Sequence, residues 1–183
     1  MKKIGIFLED RFIDEEIIYY RSRFPEAGIQ VDFLTRLWGE PRLTFKGLDL
    51  GMEISVDKSF EALDDRLMSE YAAFIMPAGY VADRLRYSEK ADDIAPAVDF
   101  MRRAMLDKDI VKGIICHSAW IFDPIPDSIK GRRITCCNNI IGSVKNTGAI
   151  FVDEDFHQDG DLFSARTGGH FAGFAERIIK LIL

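Results

Sequence analysis

Apolar residues in this chain fall into short runs separated by stretches in which they recur every three or four positions. Lys2 to Leu8 is a brief apolar run with β-branched residues, bounded by charge, and reads as a buried strand. Ile13, Ile17, Tyr20 and Phe24 then recur at helical spacing, which predicts an amphipathic helix over Asp14–Glu26, closed near Gly28. Ile29 to Thr35 is the next strand. Strand, helix and strand in this order make a βαβ unit, which implies a parallel sheet with a right-handed crossover.

Pro41 to Val56 alternates and is glycine-containing, so it predicts a small hairpin or edge strand. Tyr71 to Met76 is a fully apolar strand that ends in Pro77-Ala78-Gly79. Ile94, Val98, Met101 and Met105 line one face of a long helix, and Ile110 to Cys116 is another buried strand. Further on, Arg133–Cys136 and Ala149–Val152 read as short strands around a helix at Asn138–Lys145. Asp159-Gly160 inside Phe156–Phe163 signals a β-hairpin, and Phe171, Phe174, Ile178 and Ile182 mark a closing amphipathic helix. Alternating strands and helices predict one three-layer α/β domain over residues 1–183, with a mostly parallel central sheet.

Composition narrows the function. The 183 residues carry 24 Lys plus Arg against 30 Asp plus Glu, a net charge of −6, and no basic block. That argues against nucleic acid or an anionic membrane surface as the main partner. No apolar run approaches the roughly 20 residues that span a bilayer, and the N-terminal run is too short for a signal-peptide core. A cytoplasmic setting is expected, where the three cysteines stay thiols and each becomes a question of reactivity.

In an open parallel sheet, sites form at the carboxyl ends of the central strands. One such end runs into Cys116-His117-Ser118-Ala119. A nucleophilic residue at a strand-to-helix turn, followed by small residues, is the arrangement of a nucleophile elbow. The turn exposes the side chain, while amides of the following helix lower a thiol's pKa and offer oxyanion donors. A structural cysteine at a strand end fits the same pattern. Pro77-Ala78-Gly79 ends a second strand, where a glycine lets backbone approach a ligand or simply forms a loop. The third end precedes the first helix, where Glu16 shares the inward face with Ile13 and Tyr20. Burying a carboxylate there without a partner costs several kcal/mol. Asp14 and Glu15 read as solvated charges at a helix start.

These three ends, with the segments around them, resemble the ThiJ/PfpI family, which has the flavodoxin-like fold of class I glutamine amidotransferase domains. The carriers are Asp14-Glu15-Glu16-Ile17-Ile18-Tyr19, Phe74-Ile75-Met76-Pro77-Ala78-Gly79 and Asp83-Arg84-Leu85-Arg86. They continue with Gly113-Ile114-Ile115-Cys116-His117-Ser118, Lys130-Gly131-Arg132-Arg133, Asn146-Thr147-Gly148-Ala149, Val152-Asp153-Glu154 and Ser164-Ala165-Arg166-Thr167-Gly168-Gly169. The likeness covers nearly the whole chain.

The resemblance implies that Cys116 is the elbow nucleophile and Glu16 the carboxylic acid that touches its sulfur. It implies backbone oxyanion donors at Gly79 and His117, and a protease-like triad in which His117 is completed by Asp83 of a neighbouring copy. A homodimer or larger homo-oligomer follows from that triad. Two departures stand out: Ala78 and Ser118 occupy positions where the family often has glycine, and Ser118 adds a hydroxyl beside the site. Because an ionised Glu16 would repel a thiolate, a neutral Glu16 beside an acidic Cys116 is expected.

Cys136 and Cys137 lack CxxC spacing, so they are expected to be structural, with no zinc site, although one near Cys116 could act as a resolving thiol. The acidic string Asp153 to Asp161 reads as a solvated turn, and His170 as a cap of the last helix. The function expected is a cysteine-dependent hydrolase or lyase acting on a small carbonyl, amide or peptide substrate, with no metal or cofactor. The alternative is a non-enzymatic redox or stress sensor working through oxidation of the same cysteine.

Overall fold

The first βαβ unit forms where its pattern places it. In the computed structural model, which describes residues 1–183, β1 is Lys3–Phe7, α1 is Asp14–Glu26 and β2 is Gln30–Leu34. A hairpin of β3 (Leu43–Lys46) and β4 (Glu53–Val56) follows, then α2 (Asp65–Met68), β5 (Ala73–Met76), α3 (Val81–Leu85) and α4 (Pro96–Ala104). The second half holds β6 (Val111–Ile115), β7 (Arg133–Ile134), α5 (Ile141–Asn146) and β8 (Ile150–Phe151). It ends with β9 (Phe156–Asp159), β10 (Leu162–Ala165) and α6 (Phe171–Ile182).

The central sheet has six strands in the order β2-β1-β5-β6-β10-β9, all parallel except β9. One face packs under α1 and α6, where Tyr20, Phe24, Phe163 and Phe174 interlock; the Phe163–Phe174 centroids lie 5.4 Å apart. The other face packs under α4 around Phe7, Phe60, Phe74 and Phe100, with Phe74 and Phe100 edge to face at 4.8 Å. Gly113 in β6 makes room for this packing, because a Cβ there would sit 2.8 Å from the Phe174 ring. No helix is long and apolar enough to cross a membrane.

Several local expectations are corrected. The Asp159-Gly160 hairpin forms, but β10 also pairs with β6, so it extends the main sheet. By contrast, β7 and β8 pair only with each other, as a separate two-stranded parallel sheet. Ile94 is exposed, because its helix begins only at Pro96. Asp161 is not solvated: it pairs with the fully buried Lys112 and, at 2.9 Å, with Arg132, so a charged cluster closes the amino end of β6.

Asp14 is fully buried rather than solvated. Its Oδ2 accepts from the N–H groups of Asp49 (2.9 Å) and Leu50 (3.1 Å), and its Oδ1 from Met52 (2.8 Å). A Cβ at Gly47 would lie 2.1 Å from the same carboxylate, so glycine leaves its space. Burial pushes the Asp14 pKa up, but the three N–H groups pull harder and leave it below the ordinary value. The carboxylate thus pins the hairpin turn to the start of α1. Asp14→Asn is expected to cost about 1–3 kcal/mol and to make the turn at 47–52 the first site of limited proteolysis. Urea denaturation with mapping of the cleavage products checks both. The wild-type contribution should be present at neutral pH and fade in acid as Asp14 takes up a proton, because its folded pKa is the lower one.

Candidate active site

Four strands deliver their carboxyl ends to one spot. β1 leads through Phe12 to Glu16 on α1, β5 ends at Pro77-Ala78-Gly79, β6 ends at Cys116, and β10 leads to Thr167-Gly168. The sequence pointed to the first three ends. Gly168 was missed as a site residue because its segment is irregular loop, although the motif Ser164–Gly169 contains it.

Cys116 sits at the strand end with φ of 62°, a left-handed conformation that side-chain-bearing residues rarely adopt. That strain is what an elbow requires, since it turns the sulfur out of the sheet. The segment after it, Cys116–Phe122, is a 3₁₀ turn rather than the α-helix expected. Ser118 is fully buried and its hydroxyl turns back onto β6, accepting from Ile115 N–H at 2.5 Å and donating to Ile115 C=O at 2.7 Å. It clamps the elbow and does not project beside the sulfur as a substrate contact.

The Cys116 thiol is lowered to about 6. The first cause is a hydrogen bond from the Cys137 thiol; burial works against it, and the Gly168 N–H, the His117 ring and the His117 N–H add to the lowering. The expected acidic thiol is present, but a neighbouring cysteine supplies the leading cause rather than a helix terminus. The sequence reads Cys137 as structural, or as a resolving thiol if it lies near Cys116. Its sulfur, the Cys116 sulfur and a His117 ring nitrogen all lie within 4.8 Å of one another. No short sequence spacing could reveal that, since β7 brings Cys137 back to the elbow only in the fold. The same three donor atoms are the set that could hold a soft metal ion. Cys136 is buried, and burial pushes its thiol up to about 12.

Glu16 is fully buried, as the helical spacing predicted, and its Oε2 accepts the Ala78 N–H at 2.9 Å. Burial raises its pKa to about 8; Tyr20, one turn on, and the Ala78 N–H oppose the rise, and negative charge on Cys116 adds to it. Its Oε1 has no hydrogen-bond partner in the chain and remains free to act. A carboxylic acid and a thiolate therefore coexist at neutral pH.

Gly79, with φ of 84°, must be glycine: a Cβ would meet the Arg11 carbonyl oxygen at 2.5 Å. Its N–H takes part in no backbone hydrogen bond and is free for an oxyanion, whereas the His117 N–H is aimed at the Cys116 sulfur. The His117 ring stacks on Trp120 at 5.5 Å, and its Nε2 meets the Asn139 side-chain amide at 2.7 Å. Within one chain its partner is an amide rather than Asp83. Asp83 lines a separate groove of about 380 Å³ with Glu9, Trp38, Arg84 and Tyr87, and its Oδ2 is buried without a partner. His170 stands just before α6 but makes no side-chain cap to that helix; its Nδ1 instead lies 2.9 Å from the Thr167 hydroxyl, across the turn Gly168–His170.

A family model described as the DJ-1/PfpI family matches residues 2–181. The chain is 30% identical over 182 residues to protein/nucleic acid deglycase 2 of Escherichia coli, with 99% of this chain and 98% of that one aligned. It is 28% identical over 180 residues to deglycase PfpI of Pyrococcus furiosus, across 98% of this chain and 99% of that one. The crystal structure of a ThiJ/PfpI domain protein from Brachyspira murdochii shares the fold at a TM-score of 0.80 and 18% identity, covering 98% of this chain and 95% of the other.

Proposed function

The chain belongs to the DJ-1/PfpI family, and on that premise we propose that it is a cysteine-dependent hydrolase of deglycase type, acting on small carbonyl compounds and their adducts with amines. One observation carries this reading: a half-buried thiol lowered to about 6 on a left-handed elbow, beside a buried carboxyl raised to about 8. The names of the relatives point the same way, since two of them are deglycases. The net charge of −6 favours adducts on proteins or small amines over those on nucleic acid. A cytoplasmic setting suits the chemistry, because it keeps the thiols reduced.

In this mechanism the Cys116 thiolate adds to the substrate carbonyl carbon, forming a C–S bond while the C=O electron pair moves to oxygen. The Gly79 N–H stabilises that oxygen and neutral Glu16 protonates it, giving a hemithioacetal. On a carbinolamine adduct the thiolate reaches the same hemithioacetal by displacing the amine, the C–N bond breaking as the C–S bond forms and Glu16 protonating the leaving amine. Ionised Glu16 then moves the hydrogen of the sulfur-bearing carbon to the neighbouring carbonyl carbon, leaving a thioester. Water attacks it, the C–O bond forming as the C–S bond breaks, and a 2-hydroxy acid and the Cys116 thiol are released. His117 serves by its N–H toward the sulfur; a peptidase triad through Asp83 would need that carboxylate from a second copy.

Steady-state turnover of methylglyoxal, of methylglyoxal-modified N-acetylated amino acids and of a peptide panel tests the reading. Turnover of the carbonyl compounds or their adducts supports it, and cleavage of peptides alone overturns it. The thiol itself is tested by iodoacetamide labelling across pH. Cys116 should label with a midpoint near its lowered pKa of about 6, well below the ordinary thiol value, while Cys136 stays unlabelled in the folded protein. A Cys116 midpoint at or above about 8 would remove the thiolate from the mechanism.

A further inference from the structure

We propose that Cys116 and Cys137 form a dithiol–disulfide couple that reduces hydroperoxides, with Cys116 taking the oxygen and Cys137 closing the disulfide. The couple rests on the reading of Cys116 as the reactive thiol and gives the site a second activity.

The geometry is that of an attacking and a resolving thiol. The two sulfurs lie within 4.8 Å of each other and of a His117 ring nitrogen, and the Cys137 thiol donates to the Cys116 sulfur. They arrive on different pieces of chain: Cys116 at the end of β6, Cys137 in extended backbone (φ −65°, ψ 153°) just past β7. Cys116 is partly exposed and Cys137 buried, so an oxidant meets Cys116 first and Cys137 answers from the protein side. Cys136 is fully buried, and burial raises its pKa and leaves it a poor nucleophile.

The steps balance without a metal or cofactor. The Cys116 thiolate attacks one peroxide oxygen and the O–O bond breaks; the alkoxide or hydroxide leaves and is protonated, and Cys116 becomes a sulfenic acid. The Cys137 sulfur then attacks the Cys116 sulfur and the S–O bond breaks. The departing hydroxide takes the proton that Cys137 gives up and leaves as water. Sulfur has lost two electrons and the peroxide has gained them. An external dithiol returns the pair to thiols, ending as a disulfide itself.

The resolving step has a built-in release. The hydrogen bond to the Cys116 thiolate is the first cause holding the Cys137 pKa above its ordinary value, ahead of burial. Once Cys116 is a neutral sulfenic acid that bond and its charge are gone, so Cys137 becomes easier to ionise when it is needed.

One equivalent of hydrogen peroxide, added to the reduced protein, tests the couple. Free thiols should fall by two, and peptide mapping should find Cys116 joined to Cys137. Cys136→Ala should form the same link. Cys137→Ser keeps a hydroxyl donor beside Cys116; it should instead trap dimedone at Cys116 and proceed to sulfinate. With a dithiol supplied, the wild type should consume peroxide repeatedly, and Cys137→Ser should fall to the rate of Cys116→Ala. The couple is overturned if the wild type ends as Cys116 sulfinate with Cys137 still open to alkylation after unfolding. It is overturned equally if Cys137→Ser consumes peroxide as fast as the wild type. Iodoacetamide labelling of the same samples separates the two readings. A reactive Cys116 that forms no disulfide removes only the couple, whereas an unreactive Cys116 removes the proposed nucleophile as well.

Discussion

Cys116→Ala is expected to lower kcat/KM on a carbonyl adduct by at least about 10³-fold, with the folded structure intact. No other group in the site can make the bond: Cys137 is buried with its pKa raised, and Cys136 is held near 12. Alanine keeps a Cβ, so it inherits the strain of the 62° φ angle, and its stability should stay close to wild type at or below pH 6, where the thiolate adds little. Cys116→Gly removes that Cβ and should be equally inactive but about 1 kcal/mol more stable than the alanine variant. Paired kinetic and urea-denaturation measurements on both variants check the prediction. Retained turnover in Cys116→Ala would place the chemistry elsewhere, and equal stability of the two variants would remove the strain from the account.

Glu16→Gln is expected to lower kcat by about 10²–10⁴-fold while leaving KM and the Cys116 labelling profile nearly unchanged. The amide matches the neutral acid in size and charge, so substrate binding and the thiolate survive, but it cannot pass a proton. Stability should move the other way. The folded Glu16 pKa is about 8 against an ordinary value of 4.5, so between those limits the folded state binds more protons than the unfolded one. Unfolding free energy therefore falls as pH rises through that window, by on the order of 1.4 kcal/mol per unit at most.

Cys116 has the opposite sign, lowered from 9.0 to about 6, so its contribution to stability grows between those values. In the wild type the two nearly cancel from pH 6 to 8 and leave a net loss between 4.5 and 6. The glutamine variant lacks that loss and should overtake the wild type as pH rises through this interval. Denaturation curves at several pH values decide it. Parallel stability profiles for the two proteins would mean that Glu16 is ionised in the fold.

Much of this was legible in the chain. Period and run length placed β1, α1, β5, β6 and α6 within a residue or two, because these elements bury a continuous face and must alternate at 2 or 3.6 residues. Cys116, Glu16 and Gly79 were also readable, since each sits where a strand ends or a helix turns its inner face to the sheet. Asp14 was misread because its partners are backbone amides more than 30 positions away, in a turn whose residue types carry no mark of the pairing. Ser118 was misjudged for a related reason: residue identity announces a hydroxyl, but its direction depends on the 3₁₀ turn that follows the elbow.

Local pattern thus determined the layers, the strand ends and the candidate nucleophile, because periodicity and turn chemistry act over a few neighbouring residues. The protonation state of Cys116 was decided by tertiary structure alone. The groups that set it, Cys137 first and then Gly168, come from β7 and from the loop after β10, and only the closed sheet brings them to the sulfur. Hydrogen bonds and burial act through space over a few ångströms, and separation along the chain carries no information about them.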